Sequence, residues 1–175
     1  PKAVFIDTSF LQTLPEVEVN SGLAEMVKHG LIYDSELFNK VIEQFNNIEE
    51  IDAALLQECI EVKNNIVIQD PLESGVRKIL NFGHTIGHAI ESLKLEQGKP
   101  ILHGFGVAAG MIMEANISMQ KGILSKESYE KIEQKINLQA SNKVAISFAI
   151  AKIATDLTGV VIVAKAQPVS QKGDT

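Results

Sequence analysis

The sequence predicts a mainly helical domain, led by a single strand and trailed by a short strand-like part. Three observations predict it. Apolar residues recur at three- and four-residue spacing in successive segments between positions 21 and 136. Breaks such as Asn46-Asn47, Asp70-Pro71 and Gly98-Lys99-Pro100 divide those segments. Strand-type runs occur only at the two ends, as Ala3–Asp7 and then as Val144–Phe148 and Val160–Val163. Residues 1–15 read as the end of a preceding unit and its linker, 16–166 as the helical domain, and 167–175 as a loose tail.

In order, Ala3–Asp7 reads as the last strand of an upstream sheet, and Phe10–Pro15 as the turn leading out of it. Ser21 is a candidate N-cap for a helix through Leu23, Met26, Val27 and Leu31. Asp34-Ser35 opens the next, with Leu37, Phe38, Val41, Ile42 and Phe45 as its buried stripe. Ile51–Ile68 forms a longer helix that turns Leu55, Cys59, Val62 and Ile66 inward. Val76-Arg77 leads into a helix that carries two histidines. A small-residue helix follows His103, and Ser125 caps the last, through Tyr129, Ile132 and Ile136.

Composition narrows the function. The chain has 175 residues, 45% of them hydrophobic, and a net charge of -6. That excess of acid argues against a general nucleic-acid binder, which rests on basic patches. No apolar run suits a bilayer span, and the start has no signal-peptide pattern. The single Cys59 allows no internal disulfide, fits a reducing cytoplasm and reads as a packed core thiol.

The chemistry concentrates in Asn81-Phe82-Gly83-His84-Thr85-Ile86-Gly87-His88-Ala89-Ile90-Glu91. On a helix His84 and His88 lie one turn apart on one face, with Glu91 on that side too. Such a pair offers two nitrogens to a zinc-like ion, or else two buried imidazoles bonded to carbonyls. Glu25 and Lys28 are also one turn apart; as an ordinary surface ion pair they would contribute only about 0.2–0.5 kcal/mol. Glu25, His84 and His103, with His88 as a spare, form a donor set with open positions, as in catalytic rather than structural zinc sites. Lys28, Lys63, Arg77 and Asn81 are the polar and cationic groups available to an anionic substrate.

The ordered set S-G-L-A-E-M-V-K (21–28), K-x6-D-x2-E-x3-R-x3-N-F-G-H-T-I-G-H (63–88) and H-G (103–104) resembles 3-dehydroquinate synthase. The resemblance covers the chain to about residue 120. It implies the helical, metal-binding C-terminal domain, preceded by the last strand of an α/β nucleotide-binding domain. It implies conversion of 3-deoxy-D-arabino-heptulosonate 7-phosphate to 3-dehydroquinate and phosphate in the shikimate pathway. It further implies recycled NAD, zinc or another divalent metal such as cobalt, and a homodimer of the full-length protein. By position, Glu25, His84 and His103 become the metal ligands. His88 and Asn81 fall near the substrate phosphate, Lys63 and Arg77 at its carboxylate, and Lys28 near a ring hydroxyl and the nicotinamide. Asp70 and Glu73 orient those cations, and Phe10 and Thr13 line the cofactor.

Three departures stand out. Phe105 follows His103-Gly104 where the family usually has Glu, which predicts a missing carboxylate behind the metal ligands. The family's late D-K-K segment has no clear counterpart after residue 137, with Lys143 the nearest candidate. The upstream domain is absent, so the fragment alone is expected not to turn over. The alternatives are another sugar-phosphate cyclase, such as an inosose synthase, or a non-catalytic helical metal-binding domain. Lys63 with Arg77 argues for a carboxylate-bearing substrate and so against the other cyclase.

Overall fold

A computed structural model describes residues 3–45 and 51–141. Six α-helices make up most of it: α1 (Glu16–Tyr33), α2 (Ser35–Phe45), α3 (Ala53–Gln69), α4 (His84–Glu96), α5 (His103–Gln120) and α6 (Lys126–Ser141). Two 3-10 segments, Thr8–Thr13 and Val76–Asn81, precede α1 and α4. The mainly helical class is borne out. The expected strands at 144–148 and 160–163 lie outside the described residues, as does the Asn46-Asn47 break.

The expected strand at Ala3–Asp7 is not formed, and there is no strand among the described residues. Val4, Phe5 and Ile6 are exposed instead. A strand needs a neighbour to take its backbone hydrogen bonds, and an apolar run cannot supply one. The turn expected at Phe10–Pro15 is largely 3-10 helix, started by the Asp7 carboxylate accepting from the Ser9 N–H at 2.9 Å.

Helix boundaries follow local chemistry. α1 begins right after Pro15, with Glu16 and Glu18 in its first turn facing the positive end of the helix dipole. The expectation that Ser21 caps it is therefore wrong. Ser21 sits inside α1, and its hydroxyl accepts from the Gly104 N–H of α5 at 3.0 Å. Capping rules recognise the residue type, but not which helix it serves. Asp34 accepts from the Leu37 N–H and starts α2, as expected. Asp52 accepts from the Ala54 N–H and starts α3 two residues later than Ile51. Ser125 accepts from the Ser128 N–H before α6, also as expected.

The main core gathers Leu23, Met26 and Val27 of α1, Leu37, Val41 and Ile42 of α2, and Leu55, Cys59 and Val62 of α3. Val107, Ala108, Met111 and Ile112 of α5 and Ile136 of α6 complete it. Cys59 is a core residue, and burial pushes its thiol up to about 11, so it stays protonated.

α4 and α5 share the most extensive helix–helix contact, and α5 also packs on α1. The cause is glycine at the crossings. A Cβ on Gly110 would strike the Gly83 carbonyl, and one on Gly87 would lie 3.0 Å from the Gly106 carbonyl oxygen. A Cβ on Gly104 would strike the Ser21 backbone. Backbone therefore meets backbone at three crossings, which brings His84, Glu25 and His103 toward one another.

Gly110→Ala is expected to lower stability by at least about 1–3 kcal/mol, the usual cost of overpacking a tight contact. Gly22, exposed within α1 and with open space where its Cβ would stand, is the contrast. Gly22→Ala should stabilise by about 0.5–1 kcal/mol through helix propensity. Urea unfolding of both variants checks the pair, and a similar sign for both would refute the close-crossing account.

Candidate metal centre

The site is built outward from α4. Gly83 precedes the helix with φ +79°, a left-handed conformation that glycine adopts freely. The Gly83 N–H donates to Glu114 Oε2 at 2.9 Å and the Ile86 N–H to Glu114 Oε1 at 3.4 Å. Glu114 of α5 thus satisfies the start of α4 in place of a local cap. The first residue of that turn is His84, so its ring is set by both helices.

Three imidazoles converge. His84 and His103 have ring centroids 5.1 Å apart, His84 and His88 5.3 Å, and His88 and His103 5.6 Å. One nitrogen from each lies within 4.8 Å of the others. Glu25 enters from α1, with Oε1 3.7 Å from His84 Nε2 and 3.4 Å from His103 Nε2. Its other oxygen accepts from Lys28 Nζ at 2.6 Å. Lys28 is only 4% exposed, so this is not the surface ion pair that the spacing alone suggests.

The donor set fits a divalent cation. Glu25 Oε1 is buried with no hydrogen-bond donor, an arrangement that is costly unless a cation or proton completes it. Burial raises the Glu25 carboxyl, but the Lys28 bond and charge, with the neighbouring imidazoles, bring it below its ordinary range. Burial, then the Lys28 charge, lower His84, which leaves its ring neutral at neutral pH. A carboxylate and neutral imidazoles are the forms that ligate zinc-like ions.

Ahead of α4 in the chain, the loop 70–75 organises the polar groups. The Asp70 carboxylate accepts from the Ser74, Gly75 and Arg77 N–H groups at 3.0, 2.7 and 3.0 Å. Those bonds, Gly75 first, hold its pKa down to about 2. Glu73 has φ +57°, a costly conformation for a residue with a side chain. It holds Asn81 Nδ2 at 2.6 Å and lies 3.8 Å from Arg77 Nε. Arg77 Nη1 also donates to the Pro71 carbonyl at 2.9 Å. The two acids thus orient Arg77 and Asn81.

Lys63 is exposed on α3, and its charge and that of Lys28 both act on His29. Phe10 (75% exposed) and Thr13 stand on the N-terminal 3-10 segment, joined by a Thr13 hydroxyl bond to the Phe10 carbonyl. Among the described residues nothing ties them to the imidazoles. Lys143 lies outside the described residues. Sequence reasoning gave no role to Glu91, whose Oε1 is 2.8 Å from His103 Nδ1, or to Glu114. Helical spacing already put Glu91 on the face of His88, whereas no local signal marked Glu114. Phe105 is buried, and the carboxylate behind His103 is Glu91.

His29 offers a test of these electrostatics. Burial first, then Lys28, lower its pKa from 6.5 to about 4. The unfolded chain therefore binds the extra proton, and stability falls as the pH drops from about 6.5 toward about 4. The loss should reach about 2 kcal/mol between about pH 7.5 and pH 5. His29→Gln should remove that part of the dependence in urea unfolding at the two pH values. Equal slopes in both proteins would overturn the assignment.

A family model described as 3-dehydroquinate synthase C-terminal matches residues 22–158. The 3-dehydroquinate synthase of Desulforamulus reducens is 43% identical over 141 residues, covering 78% of this chain and 39% of that protein. That of Pseudoalteromonas atlantica is 46% identical over 137 residues, covering 75% and 38%. That of Parabacteroides distasonis is 46% identical over 125 residues, covering 67% and 34%. The chain thus spans less than two fifths of the length of these relatives. The match encloses all four side chains that converge at the site, and on this ground the chain belongs to the 3-dehydroquinate synthase family, as its C-terminal domain.

Proposed function

We propose that the chain is the metal- and substrate-binding part of an enzyme that converts 3-deoxy-D-arabino-heptulosonate 7-phosphate to 3-dehydroquinate and phosphate, a carbon–oxygen lyase. The observation that carries the reading is the buried, donorless Glu25 Oε1 facing His84 Nε2 and His103 Nε2. Glu25, His84 and His103 hold the cation, zinc or cobalt. His88, an exposed ring beside them, faces the substrate.

NAD and the cation, when bound, supply a reversible oxidation and the polarisation of a substrate oxygen. The chain's own residues place and compensate. Lys28, kept in place by Glu25, presents a buried ammonium to a ring hydroxyl. Arg77, fixed by Glu73 and Pro71, offers the planar fork suited to a carboxylate, and Lys63 is the second cation proposed for it. Asn81, its amide nitrogen held by Glu73, keeps its carbonyl oxygen available at the phosphate end with His88. The exposed Phe10 and Thr13 are the contacts this chain offers to NAD. The remaining cofactor contacts fall to the longer protein, so the chain by itself is inactive. The substrate is a small anion. Among the described residues no helix is long and apolar enough to cross a membrane.

Calorimetry should show one zinc per chain, with binding lost in both His84→Ala and His103→Ala. Absence of zinc binding by the folded wild-type chain would sink the reading. In the full-length protein Arg77→Ala should raise KM for the heptulosonate phosphate about tenfold or more, the loss of a charged hydrogen bond of about 1.5–3 kcal/mol. KM for NAD should change far less. Equal rises in both would remove Arg77 from the substrate carboxylate.

A further inference from the structure

We infer that Glu91 is a positioning residue that fixes the tautomer and orientation of His103 for metal binding. The inference rests on the metal reading above and adds a residue to it. Glu91 lies on α4 seven residues after His84, two turns along the same face. From there its Oε1 reaches His103 Nδ1 on the other helix, at 2.8 Å.

α5 is shaped to receive this carboxylate. A Cβ on Gly106 would stand 3.0 Å from Glu91 Cγ and 3.1 Å from its Oε1, tighter than ordinary packing allows. His103-x-x-Gly106 therefore pairs the imidazole with a notch for its partner. His103 needs such a partner. It is the first residue of α5 and its side chain is 48% exposed, so packing alone does not hold the ring. Buried Phe105, where a family member usually carries an acid, offers no carboxylate.

The bond also sets the protons. A carboxylate accepts, so the proton of a neutral His103 resides on Nδ1 and leaves a lone pair on Nε2. Nε2 lies 3.4 Å from the donorless Glu25 Oε1. Two acceptors then face each other, an arrangement that a cation between them satisfies. With the opposite tautomer Nε2–H would donate to Glu25 and close the site to the ion. Glu91 thus selects the state that binds metal over the state that quenches it.

The test uses the chain, with zinc alone as the probe, and the variants Glu91→Ala and Glu91→Gln. Nitrogen-15 histidine spectra of metal-free protein at neutral pH report the tautomer, with His103→Gln assigning the ring. The wild type should show Nδ1–H at His103, and Glu91→Ala should shift the ring toward Nε2–H. Glu91→Ala should also bind zinc about 10–100-fold more weakly. Glu91→Gln, whose amide oxygen still accepts from Nδ1–H, should keep the tautomer and recover much of the affinity. Zinc binding by the wild type, with neither tautomer nor affinity changed in Glu91→Ala, would overturn the inference and leave the metal reading standing. No zinc binding by the wild type would overturn both.

Discussion

The structure depends on how closely α5 lies against α4 and α1. At Gly83–Gly110, Gly87–Gly106 and Ser21–Gly104 there is no room for a methyl group. Helices with side chains at their crossings sit about 8–10 Å apart, and glycine lets them approach further. A histidine at the start of each of two helices and a glutamate midway along the third can then meet. The small residues of α5, which look like featureless packing in the sequence, are what allow the donor atoms to converge.

Around that contact the charges are arranged to cancel in pairs, except where a ligand is wanted. Lys28 answers one oxygen of Glu25, Glu91 answers the rear nitrogen of His103, and Glu114 answers the backbone at the start of α4. Asp70 answers three backbone N–H groups, and Glu73 the side chains of Asn81 and Arg77. Among the described residues Glu25 Oε1 is left without a donor, with Nε2 of His84 and His103 3.7 and 3.4 Å from it. A polar site that satisfies its surroundings and withholds satisfaction at one point is pre-organised for what binds there.

How much of this was legible in the sequence follows from the range of each interaction. Helix segments were legible because apolar periodicity is local, and Asp34, Asp70 and Ser125 each mark a boundary through bonds within a few residues. The Glu25, His84, His103 and His88 grouping was legible from motif order and spacing. Ala3–Asp7, read as the last strand of an upstream sheet, forms no strand among the described residues, because strand formation depends on a partner rather than on the run itself. Ser21 was misread because its acceptor role spans 83 residues, to Gly104. Glu91 and Glu114 went unassigned for a related reason, since their partners sit on another helix, 12 and 28–31 residues away. Phe105 suggested a missing acid. Glu91 of α4 supplies one at His103 Nδ1, from another helix.

The Glu25–Lys28 pair has a consequence for coordination number. With Oε2 engaged at 2.6 Å by an ammonium, Glu25 presents Oε1 as its donorless oxygen, which favours one-oxygen ligation. A one-oxygen carboxylate with two imidazoles would hold a zinc-like ion through three protein donors, the number found in catalytic rather than closed structural sites. Lys28 therefore decides which oxygen of Glu25 is left to face an ion, whatever else its ammonium meets.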